Sequence, residues 1–188
     1  TSSTEETDAL AEALREESHD DRAIDALERF TEAYPQSRWA PAVHLNLGSI
    51  SYQAGYFQDA LAHWKAAWDL AKRGQDEVSQ QIANLGLAEY AKLNARLGRV
   101  TELEAMLAEA QRRTLMGDAR VKIESAAEGA WMMRHQPGVS FQCGPFALLS
   151  VAQELKLKSA AKAMPFLEKF PSPLTGFSIP EVQRMSSV

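Results

Sequence analysis

The chain has 188 residues, of which 45% are hydrophobic and 24% charged. These are globular proportions, and they exclude a disordered tail, a collagen-like chain and a coiled-coil rod. The net charge of −5 argues against a general electrostatic hold on nucleic acid. No apolar run approaches the roughly 20 residues of a membrane helix, and the single cysteine, Cys143, can neither staple the fold nor build a multi-cysteine zinc site.

Residues 1–35 carry eleven acidic and three basic side chains, while the remainder carries fourteen acidic and seventeen basic ones. We read the acidic opening as the solvated face of an end-helix pair. From Thr1 to about Arg134 apolar residues recur three and four apart, the period of amphipathic helix. Breaks fall at Tyr34-Pro35-Gln36-Ser37, Gly55, Arg73-Gly74, Gly98 and near Gly117. Helix hairpins follow from that spacing, with Asp118 to Met133 as a further helix closing the set. Thr1 is not a methionine and Val188 follows a helix-like stretch, so the expectation is a piece of a longer protein, with no compartment implied.

The segment Leu47-Gly48, Tyr52, Gly55-Tyr56, Ala60, Trp64, Ala67 has a packing logic of its own. Gly48 lets two helices approach, Gly55 ends the first helix in a left-handed conformation, and Trp64 fills the space between two small positions. Trp68 follows one turn on, and Trp39 anchors the start of its helix. These spacings resemble one tetratricopeptide repeat. Ala11, Ala23, Leu27, Phe30 and Pro35 match a copy upstream, and Ala91, Gly98, Leu103, Leu107 and Ala110 a copy downstream. Ala23 to Ala60 is 37 residues, longer than the roughly 34 of a strict array. Such an array implies a curved surface for a protein or peptide partner, lined by polar residues of the first helices: His44, Ser51, Asn84 and Asn94.

After Met133 the texture changes. His135-Gln136-Pro137-Gly138 reads as a loop and Val139-Ser140-Phe141-Gln142 as a short extended approach. Cys143-Gly144-Pro145 opens an apolar helix through Leu155, a further helix covers Lys158 to Phe170, and Pro171-Ser172-Pro173 is a break. Another helix starts at Ile179, with Ser178 as its cap, Pro180 in the first turn and Glu181 just inside. A thiol at a helix start faces unpaired N–H groups, which favour thiolate, and an upstream glutamine amide suits an oxyanion. Gln-Cys-Gly-Pro followed by an Ala/Leu-rich helix resembles the C39-type, bacteriocin-processing cysteine peptidases, which are papain-like. The resemblance covers about Gln136 to Val188 and implies Cys143 as nucleophile and Gln136 as oxyanion glutamine. Two departures stand out. The Gln136–Cys143 spacing is one residue longer than the family's, and His19, His44, His63 and His135 all precede the cysteine, so the base is missing from this chain.

The expected fold is therefore all-α. A tetratricopeptide-like right-handed superhelix spans 1–134, followed by a helical segment, 135–188, resembling half of a papain-like domain. No Gly-rich phosphate loop, zinc-ligand spacing or nucleophile elbow is present, so no cofactor or metal is expected, nor nucleic-acid binding or membrane insertion. Three functional expectations remain open. The first is an interaction module of a larger bacterial protein, recruiting a partner or substrate peptide to the adjoining peptidase-like part. The second is the catalytic half of a cysteine peptidase, inactive by itself. The third is a structural spacer.

Overall fold

A computed structural model describes residues 4–16, 22–141, 143–156 and 177–185. Among these the chain is all-α, with ten helices and no strand. They are α1 (Thr4–Glu16), α2 (Arg22–Ala33), α3 (Ala40–Gln53), α4 (Phe57–Ala71), α5 (Glu77–Arg96), α6 (Val100–Ala110), α7 (Gly117–His135), α8 (Pro137–Ser140), α9 (Cys143–Glu154) and α10 (Ile179–Met185). Contacts divide the chain into two units, Thr1–Leu93 with Met106–Ile123, and Asn94–Ala105 with Glu124–Val188. Residue 134, where the sequence texture changes, falls inside the second unit.

In the first unit the helices pack in chain order, α1 on α2, α2 on α3 and α3 on α4. The 3.6-residue apolar period of each helix supplies the buried stripe. Ala13, Ala26, Leu27, Phe30, Val43 and Leu47 form one core, with Trp39 packed against it. Ala60, Leu61, Trp64 and Leu93 form a second core, with Tyr52 and Tyr90 at its edge. Trp68, Ala71, Ala83, Leu87 and Ala110 form a third. Trp64 and Trp68 are thus core residues, and each fully buried leucine contributes about 1.5–3 kcal/mol.

The α3–α4 turn is set by Gly55. Its φ of +87° is a left-handed conformation that glycine adopts without a Cβ penalty. The Tyr56 N–H then donates to the Ser51 carbonyl at 2.8 Å and the Gly55 N–H to the Tyr52 carbonyl at 3.1 Å, a complete Schellman closure. At the start of α5, Asp76 accepts from the Ser79 N–H at 2.9 Å and from its hydroxyl at 2.6 Å. These bonds hold the Asp76 carboxyl below its ordinary range.

In the second unit, Gly98 closes α5 in the same manner. Its φ is +70°, and the Arg99 N–H donates to the Asn94 carbonyl at 3.0 Å. The stretch expected to be loop and then extended is different. His135 still belongs to α7, and Pro137–Ser140 is a short helix. The cause is local. Pro137 has the φ of a first helical turn, and the Gln136 carbonyl accepts the Val139 and Ser140 N–H groups at 3.0 and 3.1 Å and the Ser140 hydroxyl at 3.2 Å. That one turn of bonds outweighs the strand preference of Val139 and Phe141. The start of α10 follows the reading of its sequence: the Glu181 carboxylate accepts the Ser178 N–H at 2.8 Å and hydroxyl at 2.6 Å, and α10 packs on α9. The helix expected at 158–170 and the break at 171–173 lie outside the described residues.

Candidate functional site

The clearest polar constellation joins three helices of the first unit. His44 on α3 and His63 on α4 face each other with Nδ1 atoms 3.1 Å apart and ring centroids 5.3 Å apart. On the far side of His63, its Nε2 lies 3.6 Å from Oε1 of Glu28 on α2. Burial, and then the charge His63 would carry, push the His44 imidazole down to about 4. Two imidazoles in this position share one N–H between facing nitrogens, so one ring donates and the other accepts.

The other three residues expected on a peptide-binding surface serve the chain itself. Ser51 is 2% exposed and Asn94 is fully buried, and the carbonyl of each closes its helix end. Asn84 is engaged on both amide atoms. It donates to the Thr114 carbonyl at 3.2 Å and accepts from Arg113 Nε at 2.6 Å. Arg113 also reaches the Gln80 side chain at 2.6 Å and the Lys72 carbonyl at 3.3 Å, with its guanidinium 5.0 Å from the Trp68 ring centre. Burial lowers the Arg113 pKa from its ordinary value, partly offset by Glu109. The group therefore ties α4, α5 and the chain after α6 together.

In the second unit, α9 begins at Cys143, as expected. Gln136 is exposed and caps α8, and α8 with Phe141 separates it along the chain from the cysteine. His135 is stacked on Trp131 at 4.7 Å, with Nδ1 2.9 Å from the Trp131 carbonyl. A carbonyl can only accept, so Nδ1 carries the proton and the neutral ring keeps Nε2 as its acceptor. Gln142 lies outside the described residues. A cleft of about 300 Å³ is lined by Ala95, Gly98, Gly129, Met132, Met133 and Phe141, among others.

Sequence reasoning named His44 but missed its partner. His44 lies eleven residues before Gly55 and His63 eight after it, so the two are not mirror positions about the turn, and their meeting depends on the register between α3 and α4. It also missed Gly86, where a Cβ would come within 3.1 Å of the Trp64 carbonyl and 3.2 Å of the Trp68 nitrogen, so that α5 approaches the α4 backbone closely.

No described helix is long and apolar enough to cross a membrane. Among the described residues no group of three or more His, Cys, Asp or Glu side chains is arranged to hold a metal ion. No family model, curated protein or solved structure matches the chain.

Proposed function

We propose that residues 1–134 act as a tetratricopeptide-like protein-interaction module of a larger bacterial protein, recruiting a partner or substrate peptide to the adjoining C39-peptidase-like segment, 135–188. The observation that carries this reading is the packing order of the first unit: each helix from α1 to α4 lies against its neighbour in the chain. Stacking of that kind is how helix hairpins build a long surface from short repeats. The Gly48–Trp64 contact and the buried Ala60 and Ala67 occupy the positions that carry the repeat resemblance. Of the four candidate residues we carry His44 forward: it is half-buried and paired with His63, whereas Ser51 and Asn94 are buried and Asn84 is engaged on both amide atoms.

The test is selection of a displayed peptide library against the whole chain, followed by amide chemical-shift mapping of the best binder. An enriched peptide shifting resonances on α3 and α5, weakened by His44→Ala, supports the module. No enrichment, or shifts confined to α9 and α10, overturns it.

A second reading rests on the start of α9 at Cys143. A thiol placed there is the nucleophile of a C39-like peptidase, with Gln136 offering its amide to the oxyanion, and a base must come from outside this chain. Iodoacetamide labelling of the whole chain across pH measures it. A thiol titrating well below the ordinary value of about 8.5 supports an activated nucleophile. Titration at or above that value leaves Cys143 a packing residue.

A further inference from the structure

The hydrogen bond of the His44–His63 pair is not used by either reading, and its geometry fixes how the pair takes up a proton. The Nδ1 atoms face each other at 3.1 Å, so a single N–H lies between them, donated by one ring and accepted by the other. The rings stand on α3 and α4, whose approach is set by the Gly48–Trp64 contact and the buried Ala60. The surroundings of the two rings are uneven. Glu28 of α2 lies 3.6 Å from His63 Nε2, beyond a hydrogen bond but close enough to favour positive charge on His63. A second acidic residue, Asp59, precedes His63 by one turn of α4. His44 has no such neighbour on its own helix, since α3 carries no carboxylate, lysine or arginine. Burial, and then the charge of His63, hold the His44 imidazole down to about 4. Other charged groups of the packed helices are paired elsewhere: Lys65 with Asp69 on α4, and Glu89 of α5 with Lys122.

We propose that the pair is a one-proton switch: at neutral pH His44 donates to His63, and charging His63 reverses the bond, moving the His44 proton from Nδ1 to Nε2. A nitrogen lone pair turned towards a carboxylate is repelled, so neutral His63 keeps its proton on Nε2, beside Glu28, and accepts through Nδ1. His44 is then the donor, with Nε2 bare. An imidazolium carries a proton on both nitrogens, so charged His63 donates through Nδ1 and His44 Nδ1 accepts. The protons balance: the Nδ1 proton of His44 passes to His63 Nδ1, and one proton from solvent binds His44 Nε2. The link between α3 and α4 survives this first step, while the outer nitrogen of His44 changes from acceptor to donor. A second proton, on His44 Nδ1, sets N–H against N–H and breaks the link. The two steps belong to the pair rather than to either ring. The proposal stands independently of the interaction module.

The experiment is a long-range ¹H–¹⁵N titration of the whole chain, labelled at histidine nitrogens, from about pH 8 down to about pH 3.5. At the upper end His44 is expected to show a protonated Nδ1 and a bare Nε2. As His63 takes on imidazolium shifts, the two His44 nitrogens should exchange these signatures. The scalar coupling between the two Nδ1 nuclei across the hydrogen bond should persist through that step and vanish only when His44 is charged. This readout uses the unmutated protein and does not depend on any variant folding. In Glu28→Gln the repulsion that orders the neutral pair is removed, so both rings should show mixed signatures at the upper end; an unmixed spectrum there would overturn the role given to Glu28. An unchanged His44 tautomer through the first step, loss of the coupling at that step, or charge on His44 before His63 would each overturn the switch.

Discussion

Gly48 and Trp64 are in contact at the centre of the α3–α4 hairpin: a Cβ built on Gly48 would lie 2.5 Å from the indole Nε1 and closer still to Cδ1. The indole is 2% exposed, so it has nowhere to move. Gly48→Ala gains about 1 kcal/mol of helix propensity but forces overpacking that costs about 1–3 kcal/mol. The net expectation is a lower urea midpoint. Gly129, in the interior of α7, gives the opposite sign. Its nearest neighbour to an added Cβ is Ala95 at 3.5 Å, an ordinary contact, so Gly129→Ala should raise stability by about 0.5–1 kcal/mol. Paired denaturation curves check both signs.

The two Schellman glycines should also differ from each other. Gly55 has φ +87° and open space around a would-be Cβ, whereas at Gly98, φ +70°, the added atom meets the Phe141 ring at 2.8 Å. Phe141 is itself buried. Gly55→Ala should cost about 1 kcal/mol, the left-handed penalty alone. Gly98→Ala should cost clearly more, because ring displacement adds to the same penalty. Equal losses by chemical denaturation would show that Phe141 yields freely.

Arg113 holds two side-chain oxygens, a carbonyl and an aromatic face at once. Arg113→Ala leaves Asn84 and Gln80 without that donor and should cost about 1.5–3 kcal/mol. Arg113→Lys should recover only part of it, since an ammonium cannot reproduce the planar fork. Thermal denaturation of the two variants orders them.

His44 makes stability depend on pH in a defined direction. Its folded value is about 4, below its ordinary 6.5, so the unfolded chain binds the proton first. Stability from this group is complete above pH about 6.5 and is lost as pH falls towards 4. The groups facing it are His63 on α4 and, beyond that ring, Glu28 on α2. Carboxylates such as Glu104, held below its range by hydrogen bonds from Arg134, act only at lower pH. Urea midpoints should therefore decline between pH 6.5 and 4.5, and His44→Gln should flatten that decline. An unchanged slope in the variant would assign it to other groups.

The helices were legible in the sequence because their signals are local. Apolar period, the left-handed glycines Gly55 and Gly98, and the Ser178–Glu181 cap all act within a few residues, and α7, α9 and α10 begin or end within two residues of where those signals place them. The short helix α8 reads in the sequence as loop and then extended chain, because one turn of hydrogen bonds onto a single carbonyl, that of Gln136, leaves no periodic pattern to detect.

What the sequence by itself determined is the all-α class, the hairpin turns and the burial of Trp64 between small residues. Only the tertiary structure decided which polar side chains meet. Asn84 and Arg113 are 29 residues apart and His44 and His63 are 19 apart. Such pairs form only when the apolar stripes of whole helices, packing to exclude water, bring distant turns side by side. Helix formation needs only neighbours in the chain, whereas a site needs the register between helices, which is set by contacts such as Gly48 against Trp64 and Gly86 against the backbone of α4.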